Sequence, residues 1–312
     1  MNIAILAGIG ATTLFLLVVT WFLWEILKAP IPEFRTHSAR ILLHSKCSAT
    51  GKEVITWEQV HGSIVHAEFM THRTMSRNTS SLRAIPTMKI LAQVWHNPFT
   101  PIWWGKNQAG MQAREELTGW RLKAARFLWM NARFPALFLA WACLKVGLHK
   151  QLASRILSPW VWMVLVVTAT ELDNYFDLRD DDDAQPEIAL PARSLRAELK
   201  ASTPQILRPG EWHIPFSNDL GDLTLIEKIR VSSGRAARTS YLNHNGIRSI
   251  EDDLALYNKL LGRKPHMSPF EHACKALPQE TPSGNFVGWK QFRKYVEDKQ
   301  IDSIMEEHRQ SI

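Results

Sequence analysis

The N-terminal segment constrains this chain most, because no charged side chain interrupts residues 3–24 (IAILAGIGATTLFLLVVTWFLW). About twenty apolar residues suffice to cross the hydrocarbon core of a bilayer as a helix. Lys28, Arg35 and Arg40 follow the segment, and no Lys or Arg precedes it, so the positive-inside rule places the rest of the chain in the cytoplasm. The segment predicts a membrane anchor. A buried helix and an N-terminal artefact are the alternatives.

The net charge favours anionic partners. The chain carries a formal charge of +7 and has a pI of about 9.4, but it contains no run of Lys or Arg that would indicate a specific nucleic-acid interface. Cys47, Cys143 and Cys274 stand far apart without a CxxC pair, which favours neither a disulfide framework nor a zinc site. The acidic run 180–183 could hold a hard cation, although such runs are usually solvated turns. We predict no metal.

Hydrophobic periodicity indicates strands near residues 38–72 and in the 230s, with a turn at Thr50-Gly51. Helices are predicted to dominate between residues 108 and 202, with a break near Pro135. Together these blocks predict an α+β fold, in which helices cover a twisted, mainly antiparallel sheet.

Three further segments have specific predictions. Residues 136–146 and 160–169 are apolar but too short to cross a membrane, so we predict that both are buried in the core. Residues 249–262 form the clearest helix, because Ser249 resembles an N-cap and Gly262 follows the last apolar position.

Three polar stretches carry the groups that would bind a phosphate or a nucleotide. Arginine forks suit phosphates and carboxylates, and hydroxyl and amide side chains suit sugars and base edges. The stretches are THRTMSRNTSSLR (71–83), LDNYFDLRDDDDAQ (172–185) and RAARTSYL…HMSPFEH (235–272).

Together these stretches resemble the motifs of the flavin-dependent thymidylate synthase (ThyX) family. That family's signature is Arg-His-Arg, seven residues and Ser, with an internal Asn and an Arg two places after the Ser. Here Thr71-His72-Arg73 is followed after seven residues by Ser81, with Asn78 inside and Arg83 beyond. The second stretch resembles the family's N-F-L-N-L-R…A-Q segment. The third resembles its A-A-R-x-S…S-P-F-E-H segment.

The order of the motifs differs from the usual family order, because the A-A-R-x-S…S-P-F-E-H segment comes last here instead of first. A circular permutation, as in a phage-type relative, accounts for three rotated but intact motifs. The resemblance covers roughly residues 38–299. We therefore predict residues 1–30 as anchor and linker, and residues 31–312 as a permuted catalytic domain of this family, tethered at the cytoplasmic face of a membrane.

The resemblance implies methylation of deoxyuridylate (dUMP) to thymidylate. FAD would be the cofactor, with methylenetetrahydrofolate and NADPH as co-substrates, in a homotetramer. No protein nucleophile is needed in such a reaction, and none of the three stretches contains a cysteine. The protein would position substrates and stabilise charge.

The resemblance also assigns roles to individual residues. Arg179 and Ser81 are the predicted catalytic residues, with Arg179 at the uracil edge as an electrophile. The predicted substrate-binding residues are Ser81, Arg83, Arg179 and Glu68. The predicted FAD-binding residues are His72, Arg73, Asn78, Asn174, Ser240 and Ser268. For Arg179 the alternative is an ion pair with the neighbouring aspartates, and for Glu271-His272 it is a hydrogen-bonded pair at a helix start.

Several positions depart from the family pattern. Threonine replaces charged or amide groups of the family at Thr71, Thr79, Thr168 and Thr170. Each lost contact to a charged group is worth roughly 1.5–3 kcal/mol where it is desolvated. Two other functions therefore stay open: the same chemistry on another pyrimidine nucleotide, and a non-catalytic, membrane-tethered nucleotide-binding module.

Overall fold

The computed structural model describes residues 3–241, 249–262 and 264–304, with side chains from residue 12 onward. The chain divides into two compact units, which we call the helical unit and the sheet unit. The helical unit consists of residues 1–36, 62–64 and 82–162, and the sheet unit of residues 37–61, 65–81 and 163–312. The predicted division into an anchor and a catalytic domain at residue 30 stays a prediction.

The described chain contains both helices and strands. The helices are α1 (Ile3–Lys28), α2 (His66–Phe69), α3 (Thr87–His96), α4 (Gly119–Lys145), α5 (Lys150–Ala153), α6 (Asp173–Arg179), α7 (Pro186–Ala201), α8 (Leu225–Arg238), α9 (Ile250–Leu261) and α10 (Phe292–Glu297). The strands are β1 (Ser38–Cys47), β2 (Glu53–Gly62), β3 (Ser76–Thr79), β4 (Trp162–Ala169), β5 (Gln205–Leu207), β6 (Trp212–His213), β7 (Cys274–Ala276), β8 (Pro282–Ser283), β9 (Phe286–Val287) and β10 (Trp289–Gln291).

The largest sheet has the strand order β3-β4-β2-β1-β5. Its β1–β2 and β3–β4 pairs are antiparallel, and the short edge strand β5 is parallel to β1. A second sheet has the order β10-β7-β6 with antiparallel pairing, and β8 and β9 form a hairpin of their own. The predicted α+β class with mainly antiparallel pairing is confirmed.

Strand β4 and the β1–β2 hairpin form as the sequence predicts. All eight residues of β4 are buried, so this apolar run within residues 160–169 is a core strand. The hairpin turns at Gly51, whose φ of 72° is a conformation that favours glycine, and the Gly51 N–H donates to the Cys47 carbonyl at 2.8 Å.

The prediction of strands in the 230s is wrong, because this segment lies inside helix α8. The helix begins with a capping box in which Thr224 Oγ1 accepts from the Glu227 amide and the Glu227 carboxylate accepts from the Thr224 amide. Gly234 lets α8 approach α9 closely, since a Cβ there would lie 2.4 Å from the Asp253 carbonyl oxygen. A small residue such as Gly234 lowers the helical propensity of the sequence, but here it allows the close packing of α8 on α9.

Helix α9 begins as predicted. Ser249 Oγ accepts a hydrogen bond from the Asp252 amide at 3.0 Å, and the helix ends before Gly262. Its Tyr257 is buried in a core with aromatic residues of other elements of the sheet unit, namely Trp212, Phe270, Phe292 and Tyr295.

In the helical unit, the predicted break near Pro135 does not occur, and α4 continues through it for 27 residues. Pro135 and Asn131 are both exposed, so the hydrogen bond that proline cannot donate to the Asn131 carbonyl is missing on the exposed side of the helix. The prediction that residues 136–146 form a separate buried segment is only partly right. Leu137 and Trp141 are buried, but Leu139 is exposed.

Among the described residues, α4 is the one helix that length and composition alone would allow to cross a membrane. Helix α1 contains the predicted anchor, and the side chains of its first turns lie outside the described part. The predicted anchor at residues 3–24 stays a prediction.

Candidate nucleotide site

The first and second polar stretches meet at Arg179, the last residue of α6. Its Nε donates to His72 Nε2 at 3.0 Å, and its Nη1 donates to Glu68 Oε2 at 3.2 Å. Its Nη2 donates to the Glu68 carbonyl at 3.2 Å and to Thr71 Oγ1 at 3.3 Å. The guanidinium is therefore held from two sides before any ligand binds.

The ionic partner of Arg179 is Glu68, so the alternative of an ion pair with the neighbouring aspartates is wrong. Asp180 instead accepts from Arg193 at 3.1 Å and forms an ion pair with Arg196 at 2.5 Å, both on α7. Residues 173–179 form α6, which directs Arg179 away from the acidic turn that follows it and toward α2.

His72 is buried beside Arg179, and its ring packs edge-on against Tyr175 at 5.0 Å. Burial lowers the pKa of His72 to about 4, and the positive charges of Arg179 and Arg77 act in the same direction. The imidazole is therefore neutral at pH 7. Because Nε2 accepts from Arg179, the proton resides on Nδ1, the nitrogen left to hydrogen-bond the side chain of Asn174.

Arg77 organises the turn that leads into β3. Its guanidinium donates to the carbonyls of Met70, His72 and Met75. Burial lowers the pKa of Arg77, which nevertheless stays charged at neutral pH. Arg77 thus supplies positive charge next to His72, close to the position at which the family's first arginine is replaced by Thr71.

The first stretch also meets the third. The Ser81 amide donates to the Ser240 carbonyl at 3.1 Å. On β3, Ser76 Oγ accepts from Gln291 Nε2 at 2.8 Å, and the same amide group donates to the Glu271 carbonyl at 3.2 Å. Backbone and side-chain bonds therefore bring residues of all three stretches together within the sheet unit.

Two buried polar atoms at this junction have no hydrogen-bond partner in the described part of the chain. They are Asn78 Nδ2 on β3 and His272 Nε2 after the S-P-F-E motif. Glu271 forms an ion pair with Arg293, whereas His272 Nδ1 bonds Thr168 Oγ1 at 2.8 Å. The alternative that Glu271 and His272 form a mutual pair at a helix start is therefore not what the structure shows.

His272 ends a buried chain of hydrogen bonds that the sequence does not suggest. Thr168 Oγ1 bonds Thr56 Oγ1 at 2.7 Å, and Thr56 Oγ1 bonds His213 Nε2 at 2.8 Å. His213 Nδ1 in turn bonds Ser45 Oγ at 2.8 Å. Ser45, Thr56, Thr168 and His213 come from separate strands. No motif relates them, so their spacing carries no signal.

Thr168 and Thr170, two of the threonines that replace charged or amide groups of the family, form hydrogen bonds within the fold. Thr168 belongs to the buried chain just described, and Thr170 Oγ1 accepts from the Val287 amide at 3.1 Å. Neither hydroxyl group is free to replace the lost amide or guanidinium contacts.

The remaining predicted site residues differ in exposure. Arg73, Asn174 and Ser268 are exposed, while Ser240 is half-buried. Arg83 is also exposed but belongs to the helical unit, whereas Ser81 belongs to the sheet unit. Their predicted joint contact with a nucleotide stays a prediction.

The donor set fits the flavin that the resemblance implies. A flavin offers ring carbonyls and phosphate oxygens, and the unpartnered Asn78 amide is a buried donor that needs an acceptor. Arg73 and Ser268 add exposed donors, and His72 adds a neutral ring fixed in one tautomer.

Comparison with known proteins gives only distant structural likeness. No family model matches the chain, and no curated protein matches it significantly in sequence. Crystal structures of a UMP/dUMP methylase, PolB from Streptomyces cacaoi, are similar to parts of it. The form bound with 5-Br dUMP shows 17% identity over 48% of this chain and 67% of that chain, with a TM-score of 0.40. The form bound with 5-Br UMP shows 15% identity over 55% and 92%, with a TM-score of 0.45. Similarity at this level carries no conclusion about activity.

Proposed function

We propose that the sheet unit methylates a pyrimidine nucleotide, with deoxyuridylate as the first candidate and a flavin as cofactor. The convergence of the three polar stretches carries this proposal. Arg179 of the second stretch bonds His72 of the first, and Ser81 of the first bonds Ser240 of the third. Stretches up to about 200 residues apart in sequence thus share one region, as a site built from them requires.

Arg179 is the residue best suited to meet the pyrimidine. A guanidinium has five N–H donors, and His72, Glu68 and Thr71 take four of them through the bonds described. One Nη1–H remains for a substrate carbonyl. A donor fixed in advance can stabilise negative charge that develops on the ring as C5 becomes nucleophilic.

His72, Arg73, Asn78, Asn174, Ser240 and Ser268 are the residues we propose for holding FAD. A bound reduced flavin supplies the hydride, methylenetetrahydrofolate the carbon, and NADPH the electrons. The protein's part is to orient these groups, because no side chain in the three stretches is a nucleophile of the kind that forms covalent adducts with uracil. We propose Ser81 for the nucleotide phosphate and sugar, and a homotetramer as the assembly.

The test uses the full-length protein in mild detergent, reconstituted with FAD and followed by its visible spectrum during titration with dUMP and, separately, UMP. We expect the flavin bands to shift on nucleotide addition. We also expect thymidylate or its ribonucleotide analogue to form once methylenetetrahydrofolate and NADPH are present.

Arg179→Gln is the informative variant and Arg193→Gln its matched control, since Arg193 lies on α7 and pairs only with exposed or half-buried aspartates. Arg179→Gln should keep FAD but lose the nucleotide-induced shift and turnover, while Arg193→Gln should behave as wild type. Nucleotide binding in calorimetry without FAD uptake or product under any condition would instead identify a non-catalytic binding module.

A further inference from the structure

Helix α4 exposes an aromatic and aliphatic face. Trp120, Phe127 and Phe134 recur every seventh residue and so lie on one side of the helix, with Leu128 and Leu139 beside them. Trp120 is 74% exposed, and Phe127 and Leu128 are each 65% exposed. We call these five residues the aromatic face of α4. Clustered exposed apolar side chains of this kind mark interaction surfaces in soluble proteins.

The surrounding sequence is basic and entirely without acid. Residues 117–170 contain no Asp or Glu but carry seven Lys or Arg residues. Three of these, Arg121, Lys123 and Arg126, are exposed in the first turns of α4, next to the aromatic face. Apolar side chains flanked by cations complement an anionic lipid surface, on which each Lys or Arg contributes about 1 kcal/mol.

Helix α1 packs against α4 and is itself apolar enough to contact lipid. Its Trp21 ring packs at 5.1 Å from Trp141 of α4. Glu25, the one acidic residue of α1, accepts from Lys145 Nζ at 2.6 Å and from Trp141 Nε1 at 2.8 Å. Its charge is therefore paired inside the helix contact. Leu14, Phe15, Leu16 and Leu17 of α1 are exposed.

The tryptophan content of the helical unit also favours contact with a membrane surface. The helical unit holds ten of the chain's thirteen tryptophans. Tryptophan is enriched where a membrane meets water, because its ring is apolar while its N–H seeks a polar partner.

We propose that α4 lies in the headgroup region of an anionic bilayer, with its aromatic face toward the acyl chains, beside an α1 that crosses the bilayer. The occupant of the aromatic face is thus the lipid surface itself. Binding through both an anchor and a basic, aromatic helix gives the protein two membrane signals instead of one.

The charges of α4 favour a position in the interface over one across the bilayer. Arg121, Lys123 and Arg126 lie in its first turns, and Arg133 lies at its middle, where it donates to the Val94 and Trp95 carbonyls. A cation at the centre of a spanning helix is costly, whereas the headgroup region accommodates it.

The test labels α4 in the full-length protein reconstituted into vesicles. In a Cys143→Ser background, Phe127→Cys or, separately, Trp120→Cys receives an environment-sensitive nitrobenzoxadiazole probe, since Cys47 and Cys274 are buried. Ile206→Cys, exposed on edge strand β5, is the control position. Nitroxide lipids then quench from shallow or deep positions, in phosphatidylcholine with or without phosphatidylglycerol.

We expect both α4 probes to be quenched more by shallow than by deep nitroxides, and more strongly with phosphatidylglycerol, while the Ile206→Cys probe stays unquenched. Replacing Arg121, Lys123 and Arg126 together by Gln should lower the quenching several-fold, whereas replacing the exposed Lys200, Lys259 and Lys264 should not. Stronger quenching by deep nitroxides would overturn the proposal in favour of a spanning helix. A blue-shifted, unquenched probe would mean that a second copy of the chain covers the face, and a water-like probe would mean that nothing does.

Discussion

The Nε of Arg179 donates to Nε2 of His72 over 3.0 Å and thereby joins two residues that lie 107 positions apart. The bond fixes both partners, because it sets the plane of the guanidinium and the tautomer of the imidazole together. Glu68 and Thr71 complete the arrangement from the other side of the guanidinium. The electrostatic core of the proposed site therefore exists within a single chain.

Replacing Arg179 by Lys should abolish most turnover. A lysine ammonium is a compact point charge that cannot reach His72, Glu68 and a substrate carbonyl at once. We expect kcat/KM for the nucleotide to fall by about 10²–10³-fold, the usual loss for one preorganised donor. Thermal unfolding should change little, because the Glu68 side chain is 40% exposed and can be solvated. Arg193→Lys is the control, and equal losses in both variants would argue against a specific role for Arg179.

Asn78→Ala should separate ligand binding from stability. The buried Asn78 amide nitrogen lacks a partner in the described part of the chain, and such a group costs about 1–3 kcal/mol. Truncation should therefore leave the ligand-free protein as stable as wild type or more so, while weakening FAD uptake. Thermal shift measurements with and without FAD test this. The exposed Asn258→Ala should alter neither value, and a strongly destabilised Asn78→Ala protein would contradict the prediction.

Acid should destabilise the sheet unit through its buried histidines. Burial, together with repulsion from His44 and His272, lowers the pKa of His213 to about 3, so the folded state keeps this ring neutral at pH 7. The unfolded ring titrates near 6.5. The resulting stabilisation is complete above pH 6.5 and is lost as the pH falls toward about 3.

Urea unfolding between pH 3 and 7 measures this dependence. One proton taken up on unfolding corresponds to a slope of about 1.4 kcal/mol per pH unit. His213→Gln cannot titrate and should lower the slope by up to one proton, at the cost of some stability at pH 7. An unchanged slope would mean that His213 is not neutral in the folded protein.

Asp253→Asn should destabilise the packing of α8 on α9. The fully buried Asp253 carboxylate accepts from Arg235 at 3.0 Å and from Arg238 at 2.5 Å. Removing one partner of a buried pair costs about 3–5 kcal/mol. We expect the lower end, because Arg235 keeps Asp219 as a second partner. Chemical denaturation gives the value, and Asp252→Asn on the exposed side of α9 should cost less than about 1 kcal/mol.

Local patterns in the sequence predicted those elements whose cause is local. The Gly51 turn, the Ser249 cap and the apolar run of β4 each depend on a few adjacent residues. Helix α8 was missed because its Val-Ser-Ser-Gly segment is a weak helix former, and the close approach of Gly234 to Asp253 that stabilises it belongs to tertiary structure. The continuity of α4 through Pro135 likewise depends on which face of the helix is exposed.

In the candidate site, too, features with a local cause could be predicted, and those that depend on tertiary structure could not. Resemblance between motifs brought His72, Asn174 and Arg179 into one hypothesis, and the structure places them in contact. The role of Glu68 as the ionic partner of Arg179 could not be predicted, since α2 is a single turn whose position depends on the fold around it. The burial of Thr168 was equally hidden, because its partners Thr56 and His272 are distant in sequence.

The chain of hydrogen bonds from Ser45 to His272 has two proton arrangements in which both threonine hydroxyls donate within the chain. Each hydroxyl has one hydrogen and each neutral imidazole carries one, so if Thr168 donates to His272, Thr56 must donate to Thr168 and His213 must donate to Thr56. Otherwise every donor along the chain is reversed. In the first arrangement His272 Nε2 carries a hydrogen, and in the second it carries a lone pair. The polarity of whatever group meets His272 Nε2 is therefore transmitted, bond by bond, to the tautomer of His213 and to the hydroxyl of Ser45.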